Sequence, residues 1–125
     1  MRNTNLSNIG YYVISRNLIA TFTLTATYAF QPAGINIPIP AHSHCIIIGS
    51  FFIGKSDNRE WKLTMNADFS TQDQQSSTVA EYKYFQVMAY KVNNTDSTVY
   101  VPVNIQCSEL ATESLEGNAC IIRLN

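Results

Sequence analysis

Charge is scarce in this chain. Only 14% of its 125 residues are Asp, Glu, Lys or Arg, against about a quarter in an average globular domain. The formal net charge is −1. No basic stripe is present to follow a nucleic-acid backbone, and no basic cluster to hold an anionic membrane surface. Long apolar runs are absent too: no stretch reaches the roughly 18 residues a spanning helix needs. Residues 1–22 lack the continuous apolar segment of a secretory signal, because Arg16 and Asn17 interrupt it. The three cysteines, Cys45, Cys107 and Cys120, are odd in number and have no C-x-x-C spacing, which argues against a disulfide framework or a zinc ribbon. Buried free thiols are the expectation, with a Cys107–Cys120 bridge the alternative in an oxidising setting. The five glycines are scattered and form no phosphate-cradling loop. "NLS" at Asn5 and "NNT" at Asn93 match the N-glycosylation acceptor pattern, which has meaning only behind a secretory leader.

What the chain has instead is alternation. In "LIATFTLTATYAF" (18–30), Leu18, Ala20, Phe22, Leu24, Ala26, Tyr28 and Phe30 share one face, and Thr21, Thr23, Thr25 and Thr27 the other. That period of two predicts a long strand, apolar inward and threonine outward. "TVYVPVNIQC" (98–107) repeats the pattern, and Pro102, which donates nothing to a ladder, predicts an edge strand or one that turns its unpaired side to solvent. "CIIIGSFFIG" (45–54) reads as a strand buried on both faces, with Gly49 a bulge or a point of close approach. "EWKLTMN" (60–66) places Trp61, Leu63 and Met65 on one face, and "AEYKYFQVMAYKV" (80–92) is another long strand. "NNTDS" reads as its hairpin turn into the Val99 strand, and "ACIIRL" as the last strand. The best helical candidate is one or two turns within "SELATESLEGN" (108–118), closed by Gly117. "ADFSTQDQQSST" (67–78) reads as a polar loop. About eight strands separated by turns predict an all-β fold: a single antiparallel β-sandwich domain over 1–125, of jelly-roll or Greek-key type. Residues 1–10 read as an N-terminal arm.

Chemistry-bearing residues are few. His42 and His44, in "PIPAHSHCIII" (38–48), are the only histidines. Alternate residues of a strand share a face about 7 Å apart, so the pair has the spacing of two metal ligands. Three readings compete. A cupin-type enzyme needs a Glu soon after H-x-H and a later His, and neither follows here. Three copies around a threefold axis would surround one transition metal with six imidazoles, which suits neutral nitrogen ligands. The third reading, a polar entrance to a buried strand with no cofactor, requires nothing further. Cys45 cannot serve as a nucleophile with either histidine, since on one strand it faces away from both. Asp57, Glu60, Asp68 and Asp73 read as acids of turns and loops.

Binding has more support than catalysis. The chain carries 7 Tyr, 6 Phe and 1 Trp, more than the inner faces of a small sandwich require. On the strand 80–92, Tyr82, Tyr84, Met88 and Tyr90 share the face opposite Phe85, Val87 and Ala89. A tyrosine-bearing outer face suits an interface. Trp61 with Tyr82 or Tyr84 would offer a platform for a sugar ring. Gln72, Gln74 and Gln75 would supply polar contacts from the loop 67–78.

"INIPIPAHSHCIIIGSFFIG", "EWKLTMN" and "FQVMAYKVNNTDSTVYVPVNIQ", spread over residues 35–106, together resemble the small β-sandwich modules at the ends of tailed-phage fibres and in related virion appendages. The resemblance lies in the style of strands and turns, and it fixes no binding residue. It implies a homotrimer or higher assembly on a capsid or tail, in contact with other virion proteins and with a host glycan or surface protein. The expected function is therefore that of a non-enzymatic virion structural protein. The alternatives are a stand-alone carbohydrate-binding, lectin-like sandwich and a small metal-dependent β enzyme.

Overall fold

The computed structural model describes residues 11–56 and 58–124. The expected N-terminal arm, Asn5 and Asp57 lie outside the described residues. Among the described residues nine strands follow one another: β1 (Tyr11–Thr23), β2 (Gln31–Ile39), β3 (Ser43–Ser56), β4 (Arg59–Met65), β5 (Phe69–Ser70), β6 (Gln72–Ser77), β7 (Glu81–Asn93), β8 (Val99–Cys107) and β9 (Thr112–Arg123). They form an antiparallel sandwich of a five-stranded sheet, β1-β9-β3-β7-β5, and a four-stranded sheet, β2-β8-β4-β6. The pairings nest, β4 with β6, β3 with β7, β2 with β8 and β1 with β9. That nesting is the wrapping of a jelly roll. Every connection between successive strands crosses from one sheet to the other.

This crossing corrects two local expectations. The "NNTDS" turn is no hairpin, because β7 and β8 belong to different sheets. Pro102 does not mark an edge: β8 lies between β2 and β4. It is tolerated there because the β2 register shifts between Pro32 and Asn36, opposite Pro102, and the β4 ladder ends at Met65–Val103. The missing donor therefore falls where neither ladder is regular.

Two more segments differ from expectation. Residues 112–123 are strand β9 rather than a helical turn, held on both sides by β1 and β3. The segment 67–78 contains β5 and β6, and its side chains seal the outer edge of β7. Asp73 Oδ2 accepts the Gln86 amide at 2.8 Å, Thr71 Oγ1 the Met88 amide at 2.9 Å, and Asp68 Oδ2 the Val92 amide at 2.7 Å. A two-residue strand plus three side-chain acceptors thus blunts an edge that would otherwise recruit another chain.

The core lies between the sheets. Its largest fully buried side chains are Trp61, Phe51 and Phe85, with Ile37, Ile39, Ile47, Leu63, Ile105 and Leu115 around them. Trp61 meets Phe22 edge to face with ring centres 6.2 Å apart. Gly49 makes no bulge; it pairs in register with Val87 and Ala119. A Cβ there would stand 2.6 Å from the Phe51 ring, so its role is close approach. β1 turns inward at Phe22 and Leu24, as its period requires, but ends at Thr23, and Tyr28 takes a left-handed conformation (φ 54°) that breaks the pattern.

Cys45 and Cys107 are buried free thiols. Cys120 is free and half-buried on the outer side of the five-stranded sheet, so the alternative Cys107–Cys120 bridge is not formed. Burial pushes the Cys107 thiol above its ordinary range, only partly offset by its backbone contact with Glu109. The sequon residue Asn93 is 1% exposed. Its Nδ2 donates to Ile39 O, Pro40 O and Ser97 O at 2.9–3.0 Å, and its Oδ1 accepts from the Thr95 amide and hydroxyl. The side chain is a structural knot between the β2–β3 and β7–β8 turns, and no glycan can be attached to it in the folded protein.

Candidate functional site

The outer face of the five-stranded sheet is built in register. Across it, Tyr12 of β1 stands beside Ile122 of β9, then Ile46 of β3, Tyr90 of β7 and Phe69 of β5. The next outward row is Ile14, Cys120, Ile48 and Met88. Neither row carries a charged side chain. Tyr12 and Phe69 at its two ends are 58% and 61% exposed, and Ile14, Ile48 and Met88 are exposed between them. Alternation alone put these residues outside, since their neighbours Cys45, Ile47, Ala89, Ala119 and Ile121 fill the core. Over five strands about 4.8 Å apart and two rows about 7 Å apart, the patch covers on the order of 300 Å².

Beyond it the face changes character. The third row is polar, Asn118 of β9, Ser50 of β3 and Gln86 of β7. The fourth is Ile19, Glu116, Phe52 and Tyr84. Phe52, Tyr82 and Tyr84 form a ring cluster with centres 5.8–6.3 Å apart. β1 bulges alongside the polar row, where its register shifts between Ser15 and Leu18 and Asn17 is left-handed (φ 57°). The bulge opens a hollow of about 510 Å³ that Arg16, Asn17, Phe52, Glu116 and Asn118 help to line. A second hollow of about 210 Å³ continues it past Phe52 toward Tyr84 and Gln86.

The sequence-derived candidates fall in different places. Trp61 is 0% exposed and cannot offer a face to a sugar. It shares its strand face with Leu63 and Met65, and that face is the core side of the four-stranded sheet. Tyr82 and Tyr84 are exposed on the opposite sheet, as alternation predicted, and their neighbour is Phe52. Gln72, Gln74 and Gln75 sit on β6, an edge of the four-stranded sheet, which runs beside the edge of β7 but belongs to the other sheet from that cluster. Gln74 donates to Glu60 Oε1 at 3.0 Å and Gln75 to Asp73 Oδ1 at 3.1 Å. Sequence reasoning missed Phe52, Asn118 and Arg16, which only the register brings together.

The histidines do not form a pair on one strand face. β3 begins at Ser43, and His42 lies in the preceding turn with φ 50°. Its Nε2 is 2.6 Å from Asp96 Oδ1 in the β7–β8 turn. His44 is on the outer face of β3, edge to face with Tyr90 and 3.4 Å from its hydroxyl. The left-handed turn residue breaks the alternation that the H-x-H spacing relies on. Among the described residues no three His, Cys, Asp or Glu side chains stand together as metal ligands.

No family model matches the chain, and no curated protein matches it. One solved structure to which it is similar is a chain of the Glycosylation Associate Protein (Gap123) complex from Streptococcus agalactiae. The identity is 13%, the TM-score 0.33, and the match covers 89% of this chain. This chain spans about a fifth of that one, 20% of its length.

Proposed function

We propose that this protein is a non-enzymatic virion structural protein, a small jelly-roll subunit of an appendage or capsid decoration that assembles with copies of itself. The observation that carries the reading is the uncharged double row on the five-stranded sheet, Tyr12–Ile122–Ile46–Tyr90–Phe69 and Ile14–Cys120–Ile48–Met88. A patch of about 300 Å² is the size of the largest apolar patch on a typical monomer, and such patches are often functional. A second copy suits the patch because the same surface brings no like charge against itself. The sealed β7 edge favours contact through the face over pairing through the edge. Jelly rolls serve both viral capsid and lectin domains, so the fold supports this reading by analogy only. The resemblance to virion appendages favours three copies. A metal-dependent enzyme has less support, since the space between the sheets is filled by Trp61, Phe51 and Phe85.

Cys120 reports on the patch directly, because it lies between Ile14 and Ile48. Its alkylation rate, followed by mass spectrometry over a hundredfold range of protein concentration, is expected to fall as copies cover it. A rate independent of concentration in a protein that stays monomeric would overturn the reading.

A further inference from the structure

We propose that the trough beyond the apolar rows binds a short neutral oligosaccharide. This inference goes beyond assembly and uses the adjoining part of the same face, which meets the apolar rows at Ile14. The trough runs across β1, β9, β3 and β7, three strand spacings or about 14 Å. Its floor is the polar row Asn118, Ser50 and Gln86. One wall is aromatic, Phe52 and Tyr84, with Tyr82 behind them. The other end is the β1 bulge, where Arg16 and Asn17 stand over the 510 Å³ hollow.

Each part has a use in holding a sugar. A pyranose offers an apolar C–H face and a rim of hydroxyls. The exposed ring of Tyr84 and the half-buried ring of Phe52 take the face, with large area at small entropic cost. The amides of Asn17, Asn118 and Gln86 each carry both donor and acceptor, which matches hydroxyls that are both. Ser50 keeps the floor low: it is the small residue between Ile48 and Phe52 on the outward side of β3. The hollow at the β1 bulge, about 510 Å³, lies within the volume range of small-molecule sites, about 300–1,000 Å³, and the smaller one of about 210 Å³ beside Ser50, Tyr84 and Gln86 shares Phe52 and Asn118 with it. Arg16 and Glu116 both line the larger hollow, one positive and one negative, so it carries no net charge to attract an anionic sugar over a neutral one. A protein partner would prefer the apolar rows; the polar floor with an aromatic wall suits a glycan.

The test is binding of the purified protein to an array of neutral and sialylated oligosaccharides, with the best neutral ligand then titrated by calorimetry. Tyr84→Ala removes the stacking wall from a residue that is 65% exposed, and Ser50→Leu fills the floor. Each is expected to weaken binding at least tenfold. Tyr100→Ala, on the opposite sheet, is expected to leave it unchanged. The native mass and thermal midpoint of each variant separate loss of the site from loss of assembly or of folding. No neutral ligand at millimolar concentration, binding confined to sialylated glycans, or binding that survives Tyr84→Ala would each overturn the proposal.

Discussion

Replacing Asn93 by Ala should be among the most damaging single changes to a polar side chain in this protein. The amide ties together two turns that are far apart in sequence, through Ile39 O and Pro40 O on one side and Thr95 and Ser97 O on the other. Its two N–H groups serve three carbonyls, and its oxygen accepts from the Thr95 amide and hydroxyl. Each lost hydrogen bond costs about 1 kcal/mol net, and a carbonyl left buried without a partner costs more. Four bond equivalents therefore give about 4 kcal/mol. At about 2.1 cal/mol/K per residue, a chain of this length has an unfolding entropy near 0.26 kcal/mol/K, so the midpoint should fall by about 15 °C. Differential scanning calorimetry reads the shift. Asn93→Asp sharpens the argument, because it keeps an acceptor for Thr95 but points a carboxylate oxygen at three carbonyls. It should be at least as damaging as Asn93→Ala at pH 7 and recover below about pH 4, where a protonated carboxyl can donate once more. A loss under 1 kcal/mol for the alanine variant, or no acid recovery for the aspartate, would refute the account of the knot.

Other expectations follow from the same packing. Trp61→Ala should cost about 3–5 kcal/mol through the cavity it leaves and leave ligand binding by the folded protein unchanged, as calorimetry on both counts would read. Because Cys107 is favoured as the neutral thiol, the unfolded chain loses its proton first as pH rises past the ordinary value of 9.0. The Cys107 contribution to stability should be constant below that value and decline above it, and Cys107→Val should lessen the decline measured by denaturant titration.

The strands were legible in the sequence wherever alternation was strong. Phe85, Val87 and Ala89 turned inward and Tyr84 and Met88 outward because period two is a local property that needs no partner. Pairing was not legible. Every link between successive strands changes sheets, so β1 finds its partner at the far end of the chain. Such register comes from the closing of the whole sandwich rather than from turn residues. Trp61 illustrates the cost: its strand was readable, but which sheet face met the core was not. The segment 67–78 hid its strands because its stabilising groups are side-chain acceptors on another strand's amides, not apolar residues. Of the candidate site, Tyr82 and Tyr84 could be seen in advance. Phe52, Arg16 and Asn118 could not, because a bulge and two ladders bring them together. His42 failed for a related reason, since one left-handed residue ends the alternation that made it look like half of a pair.

The most direct test of self-assembly is the native mass of the wild-type protein beside an Ile48→Glu variant. Ile48 is at the centre of the uncharged rows and exposed, so a carboxylate there should leave the fold intact and charge the face. The account predicts a wild-type multiple of the 14.0 kDa chain, three copies on the virion reading, and a variant that runs as the single chain. A wild-type monomer, or an oligomer that Ile48→Glu leaves whole, would contradict it.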